Sequence, residues 1–153
     1  MCAVKSDDKP GLILSILRYK CPRCRRGNLF QKKNTYDLKN FMKMNERCEV
    51  CGQPFEVEVG FYYGTGFVSY GLAVAISGIS LVLWALTIGL SLDDNRFFWW
   101  MGINALLLVA MQPILMRLSR SLWIAIFVPY SKNWASGDII EAERINKDQM
   151  NNW

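Results

Sequence analysis

Two stretches without a charged side chain dominate the sequence: residues 59–92 and, after the four residues DDNR, residues 97–116. Bilayer hydrocarbon about 30 Å thick is crossed by about 20 apolar residues at a helical rise of about 1.5 Å each, so both stretches are long enough to span. The sequence therefore predicts a two-helix membrane hairpin over 59–116, with a connection at 93–96 too short to be a domain. The first stretch lies too deep in the chain and is too long for the apolar core of a signal peptide. The apolar run LILSIL at 12–17 is too short for a signal or a span, so the chain is expected to keep all its residues.

The charge is unevenly placed. Up to Gly60 there are twelve Lys or Arg against seven Asp or Glu, and from Phe61 onward six oppose six, so the whole net charge of +5 sits in the N-terminal head. A basic head could grip nucleic acid. The positive-inside bias of membrane proteins accounts for it more simply, and nucleic acid is not the expected partner. Arg117 and Arg120 follow the second stretch directly, so both termini are expected in the cytoplasm and the 93–96 loop outside.

Aromatic residues fit this placement, with Phe61, Tyr62 and Tyr63 opening the first stretch and FFWW opening the second as boundary anchors. Small residues recur at Ser69, Ala73 and Ser77, with Gly71, Ala75 and Gly78 on an adjacent stripe. Such spacing suits close helix packing, either within the hairpin or against another chain. Pro113 should bend the second helix, with Gln112 beside it able to satisfy a freed backbone group. No ionisable side chain lies inside either stretch, which argues against a proton relay or ion-coupled transport. Beyond Arg120, SLWIAIFVPY at 121–130 is too short to span; it either forms an interfacial helix, the reading favoured, or continues the second span until Pro129 ends it, and a polar tail over 131–153 follows, with one or two helical turns offered by DIIEAERI.

Four of the five cysteines form two pairs of identical spacing, Cys21 with Cys24 and Cys48 with Cys51, separated by twenty-three residues. Each pair brackets a tight turn able to aim two thiolates at one point, so two turns supply the four ligands of a tetrahedral ion. Gly27 and Gly52 supply conformational freedom for such turns. A head of about sixty residues has little apolar surface, Leu29, Phe30, Tyr36, Phe41, Met42, Val50 and Phe55 being the candidates, and domains of that size commonly need a staple. Structural Zn²⁺ supplies roughly 10 to 16 kcal/mol of apparent folding energy in small modules, so the head is expected to unfold without it.

A redox couple at Cys21 and Cys24, its thiols acidified by Lys20, Arg23, Arg25 and Arg26, is the competing reading. The second pair and the absence of a thioredoxin-like pattern weigh against it. Cys2 stands alone, and Met42 with Met44 forms an M-x-M that would suit Cu(I) but fits core packing better. The chain contains no histidine, which removes Ser-His and Cys-His nucleophiles and most catalytic zinc sites, and GTG at 64–66 opens an apolar span rather than a phosphate loop. No enzyme is expected.

KCPRCRRGNLF, then YDLKNFMKMNERCEVCGQPFEVEVGFYYGTGFVSYGL, then two spans and RSLWI, resembles the small bacterial membrane proteins grouped as domain of unknown function 983, particularly Bacteroidota-type members. The resemblance runs over roughly 18–130 and is most specific in the two knuckles leading into GFYYG. It implies an inner-membrane location. Because some proteobacterial members are encoded beside cytochrome oxidase subunits and assembly factors, it also implies a part in assembling a respiratory complex. Where this chain has CRRG, other members have CGKG or similar, so a glycine is missing from the first knuckle.

The expected architecture is a zinc-ribbon-like head over 1–58, an α-helical hairpin over 59–116, and an interfacial segment with a polar tail over 117–153. Cys21, Cys24, Cys48 and Cys51 are the expected Zn²⁺ ligands, and Arg23, Arg25 and Arg26 an exposed basic surface for a partner. The bilayer and a membrane protein or second copy are the expected partners. Metal handling or thiol exchange by the same cysteines is the alternative, and membrane-tethered RNA or ribosome binding a further one.

Overall fold

The computed structural model describes residues 11–37, 39–58, 60–89, 94–135 and 139–140. Cys2, Asp93 of the 93–96 connection and most of the polar tail, including most of the expected helical turns at 138–145, lie outside the described residues. Among the described residues three α-helices order the chain: α1 (Leu12–Leu17), α2 (Thr65–Thr87) and α3 (Arg96–Phe127). Helix α2, with the 3₁₀ turn Phe61–Gly64 that leads into it, and helix α3 are both long and apolar enough to cross a membrane.

Local chemistry sets the ends of α2. The Thr65 hydroxyl donates to the carbonyl of Tyr62 at 2.6 Å as the 3₁₀ turn becomes α-helix. At the other end Gly89, at φ +84°, makes the left-handed exit that an L side chain resists. The guanidinium of Arg96 reaches across the connection to the Ile88 carbonyl at 2.9 Å, pairing an acceptor that the helix end leaves open.

The two long helices are joined by a polar clasp. Asn104 on α3 accepts from the Ser80 hydroxyl at 2.9 Å and donates to Ser77 Oγ at 3.1 Å, while the Trp100 indole donates to Ser80 Oγ at 3.2 Å. Interhelical bonds of this kind in apolar surroundings contribute about 0.6 kcal/mol each on average. Of the two small-residue stripes, the one containing Ser77 therefore faces α3. Gly71 and Gly78 have open space where a Cβ would stand, so the second stripe faces away from the hairpin.

Helix α3 continues through Pro113 and past Met116 to Phe127. Residues 121–127, favoured as a separate interfacial helix, are instead the last turns of α3, and the burial of that helix is concentrated in the turns around Arg120, just before and at their start. Arg117, Ser119, Arg120, Ser121 and Ile124 are all buried there. Arg117 donates from Nε to the Phe41 carbonyl at 2.6 Å, from Nη2 to that of Asn34 at 3.1 Å and from Nη1 to that of Lys33 at 3.3 Å, gathering the loop between the knuckles onto α3. Its plane also lies over the Phe30 ring at 4.7 Å. Arg120 donates to the Met42 carbonyl at 3.3 Å and lies over the Tyr62 ring at 5.1 Å. Ser121 donates to the Ile16 carbonyl at 3.0 Å, docking α1 beside the same turn.

One core results. Cys21, Cys24, Leu29, Phe30, Met44, Cys48 and Phe55 of the head pack in a single cluster with Tyr62, Ile124 and Val128 from the helical region. The Tyr62 hydroxyl, donating to the Phe55 carbonyl at 2.6 Å, closes the junction. Tyr36 and Val50, expected in the core, are 57% and 44% exposed. Their place is taken by α3, which the head alone could not supply. Gly64 lies against the Trp123 indole so closely that a Cβ there would overlap it, and that indole donates to the Phe61 carbonyl at 2.8 Å.

Candidate metal centre

Each cysteine pair sits on a hairpin-like knuckle. In the first, the Cys21 amide donates to the Gly27 carbonyl at 2.9 Å and the Arg25 amide to the Cys21 carbonyl at 2.7 Å. In the second, Cys48 donates to Gln53 at 2.8 Å and Gly52 to Cys48 at 2.9 Å. Isolated antiparallel bridges flank the turns, Lys20 with Asn28 and Arg47 with Pro54, and a third, Phe30 with Met44, ties the knuckles together. The ribbon-like head thus consists of single bridges, with no named strand among the described residues.

The four sulfurs converge. All lie within 4.8 Å of one another. Across the knuckles, Cys21 Sγ is 3.8 Å from Cys51 Sγ and Cys24 Sγ is 3.7 Å from Cys48 Sγ. A regular tetrahedron with metal–sulfur bonds of about 2.3 Å has sulfur–sulfur edges of about 3.8 Å, so both cross-knuckle edges match a four-thiolate ion. Cys21, Cys24 and Cys48 are buried, and Cys51 is partly exposed at the rim.

Gly27 is required by this convergence. A Cβ at that position would run into Cys48 Sγ, so the first knuckle can approach the second only with a bare backbone there. Hydrogen bonding from Cys21, and then from Cys48 and Cys51, pushes the Cys24 thiol well below its ordinary range. The Cys48 thiol is lowered to about 7, chiefly by its hydrogen bond with Cys21. One acidified sulfur on each knuckle suits metal binding, which needs the deprotonated form.

The three basic residues of the first knuckle are not the exposed patch that the sequence suggested. Arg23 is 3% exposed, and its carbonyl accepts from the Ser131 amide at 3.2 Å. Arg25 lies over the Tyr130 ring at 4.4 Å and Arg26 over the Trp134 ring at 5.3 Å. The chain after α3 therefore returns across the knuckles. Gln53, fully buried, exchanges hydrogen bonds with the Ile140 backbone at 3.0 and 3.3 Å on the other side of the centre.

Several of these contributors escaped the sequence reading. Gln53 and Trp134 carry no local signal. In sequence Arg117 and Arg120 look like topology markers, and Asn104 carries one recognisable sign, a lone Asn in an apolar stretch that suits an interhelical bond. Met44 is buried in the core at 5% exposure, as the packing reading of M-x-M expects.

Compared with known families, residues 38–127 match the family described as protein of unknown function (DUF983), which is more than half of the chain. The match takes in the second knuckle and both long helices. The first knuckle precedes it and joins by geometry. No curated protein and no solved structure matches.

Proposed function

The chain belongs to the DUF983 family, and from that premise we propose that it is a non-enzymatic integral membrane protein whose head is a docking or assembly element closed by a structural Zn²⁺ on Cys21, Cys24, Cys48 and Cys51. The observation that carries the reading is the continuity of the core from the cysteine cage through Tyr62 to Ile124 and Val128. A metal-stapled head fused in this way to a spanning helix holds a surface at fixed height and orientation above a bilayer, which is what a docking element needs. The basic balance of the head and the arginines ending the second apolar stretch support a cytoplasmic-side head in a bacterial inner membrane. A respiratory complex of the cytochrome oxidase type is the partner that the resemblance proposes.

The test is affinity purification of the full chain in a mild detergent, with bound metal and co-purifying proteins determined on one sample. About one zinc per chain with oxidase subunits or assembly factors recovered supports the reading in full. One zinc with an unrelated membrane protein redirects the process, and a folded chain without metal overturns the structural site.

The alternative, metal handling or thiol exchange by the same cysteines, would act through Cys51, the residue of the four that is not wholly buried. It predicts zinc that yields to mild chelation and a thiol open to alkylation. Resistance to both removes it.

A further inference from the structure

Beside α1 a cleft of about 250 Å³ opens between the head and α3. Five of its nine lining residues are cationic, Arg18, Lys20, Lys32, Lys33 and Arg117, and none is acidic. Asp37, on the same loop as the two lysines, does not line it but lies close enough to act electrostatically on Arg117. Among the described residues none of the five forms a salt bridge, the ion pair present being Arg96 with Asp94 at the opposite end of the hairpin. Two of the cations are held in place by neutral groups. Lys20 Nζ donates to Asn28 Oδ1 at 2.7 Å, and Arg117 is fixed by the loop carbonyls and the Phe30 ring. Among the described residues Asp37, acting on Arg117 alone, is the acidic group that offsets any of these five charges, so the concavity favours an anion.

The position of the cleft narrows the anion. Arg117 is the first charge after the uncharged stretch 97–116. The loop that carries Lys32 and Lys33 extends along α3 far enough for the Tyr36 hydroxyl to reach the Ala110 carbonyl at 3.3 Å. Seven residues of helix separate Ala110 from Arg117, about 10 Å, so this loop runs along the boundary between apolar and charged surface. At the lip of the cleft α1 exposes Leu14 and Leu17 at 48% and 55%, and Ile13 at 74%. A basic floor with an apolar lip at that level matches a phosphate joined to acyl chains.

We propose that this cleft binds the phosphate headgroup of an anionic glycerophospholipid, with α1 lying against its acyl chains. The inference rests on the reading of α2 and α3 as membrane spans, and on nothing about the metal's identity. Lys32 and Lys33 are exposed and hold no part of the core, so their removal should leave the fold intact.

The experiment is native mass spectrometry of the full chain in a neutral detergent, with phosphatidylglycerol, phosphatidylcholine or inorganic phosphate added in turn. Phosphatidylglycerol is expected to remain as a one-to-one adduct more strongly than phosphatidylcholine. The pair Lys32→Gln and Lys33→Gln should weaken it roughly thirtyfold, while Lys39→Gln with Lys43→Gln, the same charge change away from the cleft, should not. Equal retention of the two lipids, or equal loss in both variant pairs, overturns the site. Saturation by inorganic phosphate without lipid preference also overturns it in favour of a soluble ligand. Membrane extraction of the same chain separates the premise: release by alkaline carbonate defeats the spans, whereas retention without lipid preference defeats only the cleft.

Discussion

In the first knuckle the residue after the second cysteine is Arg25, at φ +57°; in the second it is Gly52, at φ +72°. Both amides close the same turn by donating to the carbonyl of the first cysteine of their pair. The left-handed conformation costs an L residue about 1–2 kcal/mol and glycine almost nothing, so the first knuckle carries a strain that the second avoids. What offsets it is outside the turn, since Arg25 stacks on Tyr130 in the segment that returns from α3. A glycine at this position would make the knuckle self-sufficient. An arginine makes it depend on the chain's C-terminal side. The close approach falls the other way round, with Gly27 of the first knuckle making room for Cys48 of the second.

The largest break in the comparison comes from the shared centre. Cys48→Ser should abolish stoichiometric metal and unfold the head, since apparent metal contributions in small modules are of order 10 kcal/mol. Metal analysis with near-ultraviolet circular dichroism checks both. Next comes Gly27→Ala, whose Cβ overlaps Cys48 Sγ, and which should speed metal release to a chelator far more than the matching change at Gly52.

Acid should act through the second knuckle. The Cys48 thiol, lowered from 9.0 to about 7, contributes stability that is complete above its ordinary value and lost as pH falls through about 7. A pH series of the metal-bound chain should therefore show zinc released and the head unfolding together as acid protonates the thiolates, the ion competing with the proton and moving the loss below about pH 7.

The two left-handed positions give the smallest effects. Gly52→Ala should destabilise the head by about 1 kcal/mol. Arg25→Gly should be close to neutral, since relief of strain is set against a lost cation–aromatic contact of about 0.5–2 kcal/mol. In a Tyr130→Leu background the same change should become stabilising by about 1 kcal/mol. Chelator-induced unfolding midpoints of the four chains measure the cycle.

What could be read from the sequence was what is encoded locally. Ligand spacing in Cys-x-x-Cys and uncharged length in 59–92 and 97–116 each describe one segment, and each matches an element of the structure. The continuation of α3 to Phe127 was legible only in part, since Pro129 marks a stop but nothing nearby shows that Arg117 and Arg120 are buried. Their partners, the carbonyls of Phe41, Asn34 and Met42, lie 76, 83 and 78 residues away along the chain. An arginine satisfied by backbone acceptors looks in sequence like any arginine ending a span. For the same reason Arg23, Arg25 and Arg26 resembled an open basic patch, because Tyr130 and Trp134 that cover two of them come from the other side of the hairpin.

The central claim, that two unlike knuckles close on one metal ion, is tested most directly by X-ray absorption at the zinc edge on the purified full chain. The account predicts four sulfur neighbours at about 2.3 Å, with one zinc per chain. Two sulfurs completed by oxygen or nitrogen ligands, or a folded head with substantially less than one zinc, would contradict it.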